Sequence, residues 1–227
     1  MSDIAANLLT INDAMYTAVK KTGRTMGDIK LIGVTKTVTP ERIVQLLAAG
    51  VNCFGENRVQ EFLPKHECLQ HHMPTWHFIG HLQRNKVKFI IDKVAMIHSI
   101  DNMALALEVD KRASMAGIVM DILVEINIAG EDSKHGLDPS QALPFVQELT
   151  GLSNIRVKGL MCIAPFVKEP EDNRPYFKKM HKLLLDINQN NTHNHCLTEL
   201  SMGMSGDYTV AIEEGATMVR IGTALVG

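Results

Sequence analysis

Short apolar runs rich in β-branched residues recur along the 227-residue chain, and a stretch with helical spacing follows almost every one. Residues 31–35 read as a buried strand. Thr39-Pro40-Glu41 then opens a helix with a cap, a proline at the first helical position and an early acid, and Gly50 closes it. The pattern repeats at 53–55 before a helix from about Asn57, and at 76–79 before a helix through Val87 to Ile91. It repeats again at 95–100, before a helix capped by Asp101 and closed at Gly117. Residues 121–128 form the clearest strand, and after a loop Asp138-Pro139-Ser140-Gln141 offers a cap, an N1 proline and a reciprocating glutamine, a capping box. Residues 157–163, 197–202 and 218–221 bring the strand count to eight, with intervening helices to about Asn188 and to Glu214. Strands that alternate with helices pair in parallel through right-handed crossovers, and eight such units suit a closed (β/α)8 TIM barrel, with an open doubly wound sheet as the rival. Ahead of the repeat, Ile4, Leu8, Ile11, Met15 and Val19 mark one face of an extra N-terminal helix. No linker or composition shift divides the chain, so one domain over residues 1–227 is expected.

Composition excludes several classes of partner. A net charge of −2, from 23 basic and 25 acidic side chains, gives no positive field to draw in nucleic acid or an anionic membrane. Charges or glycines interrupt every apolar run, as Asp121 and Glu125 do within 118–128, so no membrane span is expected. Met1-Ser2-Asp3 leads straight into the helical pattern, without the basic and apolar blocks of a secretory signal, which implies a cytoplasmic protein. Cys53, Cys68, Cys162 and Cys196 form no C-x-x-C pair and read as reduced, mostly buried thiols. Met15, Met96, Met120 and Met161 fall in apolar periodic segments and are read as core filling. The Asn-rich run 188–194 reads as a loop, whose sequon at Asn190 would go unused inside a cell, and a monomer is the working expectation.

A barrel of this kind builds its site just past the C-terminal ends of its strands. Those positions hold Lys36, Glu56-Asn57, Gly80-His81, His98-Ser99, Asn127, the run Ser201-Met202-Gly203-Met204-Ser205, and Arg220-Ile221-Gly222-Thr223. The loops after strands seven and eight are the usual phosphate seat. Here Ser201, Ser205 and Thr223 offer hydroxyl donors, while Gly203 and Gly222 permit tight turns; an ordinary pair of turns is the plainer alternative. Lys36, at the end of an apolar strand, is expected to be partly desolvated and so to lean toward the neutral amine that attacks an aldehyde. Alone it reads as a lysine reaching solvent; beside a phosphate seat it points to a Schiff base with a phosphorylated aldehyde. Arg220 could instead pair with Glu56 or Glu199 for structural reasons.

Other constellations carry less. His193-Asn194-His195-Cys196 holds metal-ligand types, but no second cluster completes a tetrahedral set, so no metal is expected. Met202-Gly203-Met204-Ser205-Gly206 approaches a G-x-S-x-G elbow, yet Asp207 follows and no triad histidine stands out. His71-His72 reads as an exposed loop.

Five stretches together resemble the pyridoxal 5'-phosphate (PLP) homeostasis protein family, single-barrel relatives of the alanine racemase N-terminal domain. They are Leu31-Ile32-Gly33-Val34-Thr35-Lys36-Thr37, Phe54-Gly55-Glu56-Asn57-Arg58-Val59-Gln60-Glu61, Trp76-His77-Phe78-Ile79-Gly80-His81-Leu82-Gln83-Arg84-Asn85-Lys86, Leu200-Ser201-Met202-Gly203-Met204-Ser205 and Val219-Arg220-Ile221-Gly222-Thr223. The resemblance implies PLP as cofactor on Lys36, Asn57 near its ring, phosphate contacts around Ser201, Met202, Gly222 and Thr223, and Arg220 close by. Two roles are open to Arg220: bonding the pyridine nitrogen, which would weaken PLP as an electron sink, or reaching the phosphate. The resemblance also implies a role in vitamin B6 supply, with PLP-dependent apo-enzymes as partners. Thr35 stands where many relatives have Ser, and Gly227 falls short of the tail that many of them carry.

A racemase needs a second base opposite its lysine, commonly a tyrosine on a further domain of a partner subunit. Of the three tyrosines, Tyr16, Tyr176 and Tyr208, Tyr208 alone lies near the expected site. An uncapped face favours reversible cofactor loading over carbanion chemistry, so a carrier is expected rather than an enzyme. The alternatives are a weak racemase-like PLP enzyme acting on amino acids and an aldolase-like barrel for a sugar phosphate. Whether the 130–136 loop, with Lys134 and His135, acts as a lid or a second cofactor site stays open.

Overall fold

In the computed structural model, which describes residues 3–131, 133–190 and 196–227, the first helix α1 (Ile4–Lys20) starts where the Asp3 carboxylate accepts the amides of Ala5 and Ala6. Eight strands follow: β1 (Lys30–Val34), β2 (Cys53–Glu56), β3 (Thr75–Phe78), β4 (Met96–Ile100), β5 (Met120–Glu125), β6 (Ile155–Met161), β7 (Glu199–Met204) and β8 (Met218–Ile221). Each is parallel to the next and β8 pairs back onto β1, so the sheet closes and the open-sheet rival is excluded. The helices that return the chain are α2 (Pro40–Ala48), α3 (Val59–Leu69), α4 (Met103–Ala116), α5 (Ala142–Leu149), α6 (Arg174–Asn190), α7 (Tyr208–Glu213) and a terminal turn, α8 (Thr223–Val226). No helix among the described residues is long and apolar enough to cross a membrane.

The apolar core has two shells. The larger lies between strands and helices and includes Phe54, Phe62, Trp76, Phe177 and Met202. A separate cluster joins Ile32, Met96, Leu123, Met161 and Met218. These come from β1, β4, β5, β6 and β8, on different sides of the ring, so they meet inside it as a packed layer. Met15, Met96, Met120 and Met161 are all buried, as their spacing implied.

Local chemistry departs from the sequence reading at several points. The third return is not an α-helix but a 3-10 run, Arg84–Phe89, that leads directly to β4. Asn102, not Asp101, caps α4, its side chain accepting the Leu105 amide at 2.8 Å. Asp138 caps a short 3-10 turn by accepting the Ser140 amide, and α5 begins only at Ala142, so no capping box with Gln141 forms. α6 runs on to Asn190, which makes 188–190 helical; residues 191–195 lie outside the described residues. Cys162 is buried and Cys53 partly so, but Cys68 and Cys196 are exposed, because they sit at the end of α3 and before β7 rather than inside strands. His71 and His72 are exposed, in a 3-10 turn rather than a loop.

Candidate functional site

Above the inner apolar layer the barrel carries polar side chains joined across its width. Arg220, on β8, donates from one Nη to Ser201 Oγ on β7 at 2.6 Å and from the other to the Cys162 carbonyl at 2.7 Å. Ser201 Oγ also bonds His98 Nδ1 on β4 at 3.0 Å, and His98 Nε2 bonds His77 Nδ1 on β3 at 2.8 Å. β4 and β7 are not neighbours, so the His98–Ser201 bond spans the interior. Burial holds His77 at about 3 and His98 well below its usual range, so both imidazoles are neutral and share one N–H between them. Glu125, on β5, faces the same region; burial pushes it up to about 7, with Asp101 adding and Arg220 opposing. The structural alternative for Arg220 is not realised, since Glu56 is taken by Thr35 and Lys65 and Glu199 accepts from Thr217.

Lys36 follows β1 by two residues. Its backbone is held from both sides. Thr35 is fully buried; its hydroxyl donates to Glu56 Oε1 at 2.6 Å, and Lys65 Nζ bonds both the Thr35 carbonyl and Glu56 Oε1 at 2.7 Å. Thr37 lies in the left-handed region at φ 63°, with its amide on Glu61 Oε2 and its hydroxyl donating to the Lys36 carbonyl at 2.6 Å. The Lys36 residue itself is exposed, so the desolvation expected from the strand does not come from the barrel wall. Beyond its last apolar residue the strand simply runs out into the mouth.

The loops after β7 and β8 converge. Ser205 Oγ accepts the amides of Gly222 and Ala224 at 3.2 and 3.4 Å, so the two turns are tied into one concave group of donors. Gly203, at φ 90°, turns the first loop where a Cβ would lie 2.6 Å from Ala211 Cβ. Asp207 fixes the next turn, one oxygen accepting the Met204 amide at 2.6 Å and the other Asn173 Nδ2 at 2.8 Å. Thr223 is exposed. Met202 is fully buried in the outer shell, so only its backbone can reach a ligand. The Ser201 hydroxyl, read as a phosphate donor, is bonded instead to Arg220 and His98 inside the barrel.

The amine and the donor group share one end of the barrel. β1 and β8 run in register with Gly33 opposite Ile221, and a Cβ on Gly222 would lie 3.4 Å from Val34 Cβ. Lys36, three residues beyond Gly33, therefore emerges beside the turn that carries Ala224, three beyond Ile221. Asn57 closes the opposite side after β2. Gly80 packs so tightly on it that a Cβ would sit 2.3 Å from the Asn57 carbonyl oxygen, and Asn57 Oδ1 is buried with no partner among the described residues. A cavity of about 200 Å³ continues from there, lined by Asn57, Gly80, Glu125, Asn127, Lys134 and His135. Sequence reasoning passed over Glu125 and Lys65; the available signal was a charged residue inside an otherwise apolar strand or helix face.

A fold and a mouth of this kind place the chain among single (β/α)8 barrels of the alanine racemase type, and the family model "Alanine racemase, N-terminal domain" matches residues 12–227. The pyridoxal phosphate homeostasis protein of Aquifex aeolicus is 46% identical over 220 residues, covering 97% of this chain and 96% of that one. The chain belongs to the pyridoxal phosphate homeostasis protein family. PipY of Synechococcus elongatus, solved with PLP bound, superposes with a TM-score of 0.87 at 32% identity, covering 99% of this chain and all (100%) of that one. A protein of unknown role from Bifidobacterium adolescentis superposes at 0.91 with 34% identity, over 98% of this chain and 94% of that one.

Proposed function

We propose that this chain binds PLP at the barrel mouth as a Schiff base on Lys36, and serves PLP homeostasis in the cytoplasm as one domain without catalytic turnover. The observation that carries the reading is the register of β1 on β8, which brings Lys36 beside the Ser205, Gly222 and Ala224 donor group. The residues present fit the cofactor: an exposed amine, convergent backbone amides for a phosphate, and a buried Asn57 Oδ1 lacking a partner. PLP, when bound, supplies an electrophilic aldehyde and a phosphate dianion. Ser205, Gly222 and Thr223, with the Met202 backbone, would hold the phosphate; Arg220, kept in place by Ser201 and Cys162, would set a positive charge close to the cofactor, toward its pyridine nitrogen or its phosphate, and Asn57 would lie near the ring. Burial makes the two neutral histidines weak bases, whereas Glu125, pushed up to about 7, is the one interior group among the described residues poised to exchange a proton near neutral pH. Relatives carry the same name and PipY was solved with PLP, which supports the cofactor.

The test is direct. Purified protein mixed with PLP is expected to develop a visible absorption band that Lys36→Ala abolishes, and borohydride reduction followed by peptide mass spectrometry is expected to place the adduct on Lys36. No band, or an adduct elsewhere, overturns the reading. Sustained racemisation or decarboxylation of an L-amino acid that requires Lys36 would overturn the absence of turnover.

A further inference from the structure

We propose that His81, Asp101 and His135 form a binding site for a divalent first-row transition ion at the rim of the barrel mouth. One ligand atom of each residue lies within 4.8 Å of the others, and no other such trio of His, Cys, Asp or Glu is present among the described residues. The three come from three separate segments: His81 three residues past β3, Asp101 directly after β4, and His135 in the loop between β5 and α5. Nothing in the barrel's packing requires these side chains to converge, because all three are wholly or partly exposed.

Described residues on both sides of His135 are anchored to the barrel. Asn127 clamps Glu131 twice, its Nδ2 donating to the Glu131 carbonyl at 2.9 Å and its Oδ1 accepting the Glu131 amide at 3.2 Å. At the far end the Asn127 amide bonds the Leu137 carbonyl and the Leu137 amide bonds the Glu125 carbonyl, both at 2.9 Å. Lys134 is turned aside onto Glu131 at 2.6 Å and the Ala164 carbonyl at 3.2 Å. His135 is thereby presented to His81, and the two rings lie face to face with centroids 3.9 Å apart and planes 14° apart. Neither imidazole has a hydrogen-bond partner among the described residues. Asp101 has one oxygen engaged, by Asn102 Nδ2 at 2.7 Å, which steadies the carboxylate and leaves the other oxygen free.

Two imidazoles and one carboxylate are a donor set for zinc and its neighbours rather than for calcium or magnesium, which favour oxygen. Bonds of about 2.1 Å in a tetrahedron set ligand atoms about 3.4 Å apart, so the ligand atoms, now within 4.8 Å of one another, must draw together, and the two stacked imidazoles must tilt out of their face-to-face arrangement for both lone pairs to meet the ion, a motion their exposure allows. With three protein ligands the fourth position stays open to water or an anion, and His81 and His135 also line the cavity that Asn57 and Glu125 share. An ion there would tie the loop after β5 to the ends of β3 and β4. The proposal does not involve Lys36 and stands apart from the cofactor reading.

The experiment is a titration of the full-length, PLP-free chain with Co2+ alone, followed by its d–d absorption, with Zn2+ displacing the signal. Binding with unit stoichiometry is expected, and His81→Ala, His135→Ala and Asp101→Asn are each expected to weaken it by at least about tenfold, the cost of losing even an outer-shell partner. Circular dichroism serves as the folding check for these exposed positions. The double variant His193→Ala, His195→Ala is expected to keep the affinity. No binding tighter than about 1 mM overturns the proposal. So does binding that survives His81→Ala with His135→Ala, or that is lost with the His193 and His195 pair.

Discussion

Glu125→Gln isolates the electrostatics of the barrel interior. Glu125 is 5% exposed, one carboxylate oxygen has no partner, and its ionisation is opposed by burial first and by Asp101 second, with Arg220 offsetting part of the cost. The folded chain keeps this proton to about pH 7, whereas the unfolded chain releases it from its ordinary value of 4.5. Stability contributed by the neutral carboxyl is therefore complete below pH 4.5 and lost as pH rises through 7. The interval corresponds to about 3 kcal/mol. Glutamine has the shape of the protonated acid and cannot ionise, so it keeps that contribution at every pH. Urea unfolding of both proteins from about pH 4 to about pH 8.5 is expected to show the variant gaining about 3 kcal/mol on the native sequence across the range. A Tm gap of roughly 6 to 12 °C should open in parallel. Because groups that do not interact with Glu125 cancel in the difference, a flat difference would refute the argument that Glu125 is held neutral by its surroundings.

Three further outcomes are expected. Arg220→Gln should weaken PLP retention in equilibrium dialysis; unchanged affinity would confine the guanidinium to its bonds with Ser201 and Cys162. Lys65→Met should cost about 3–5 kcal/mol in urea, since it strands the fully buried Glu56 carboxylate without its cation at 2.7 Å. His77 is neutral when folded, with its pKa held at about 3, so its contribution is present above 6.5 and lost as pH falls toward 3, at about 1.4 kcal/mol per pH unit; an imidazole resonance of His77 titrating near 6.5 in the native protein would contradict this.

The closed barrel was legible because its signals are local. Thr39 caps α2 through the Arg42 amide, and Gly117 ends α4 in the left-handed conformation, each within one turn of the residues it serves. Where two neighbours compete for one role the sequence is a weaker guide: Asp101 and Asn102 are both caps by type, and packing chose Asn102. The site divides along the same line. Lys36, Ser205, Gly222 and Arg220 sit at strand ends and could be listed by position, but the exposure of Lys36 depends on how far β1 continues into the mouth. The interior chain could not be listed at all. His98 and Ser201 are 103 positions apart and meet only because the barrel closes, and the pairing of Glu56 with Lys65 depends on the angle at which α3 returns.

The hydroxyl of Ser205 already satisfies the amides of Gly222 and Ala224 in the protein by itself. A phosphate oxygen arriving at those amides would gain only its advantage over a serine oxygen, and on departure it would strand no donor, because the serine takes its place. Under the proposed reading, binding and release there amount to a swap of acceptors, a seat whose empty state is as well bonded as its full one.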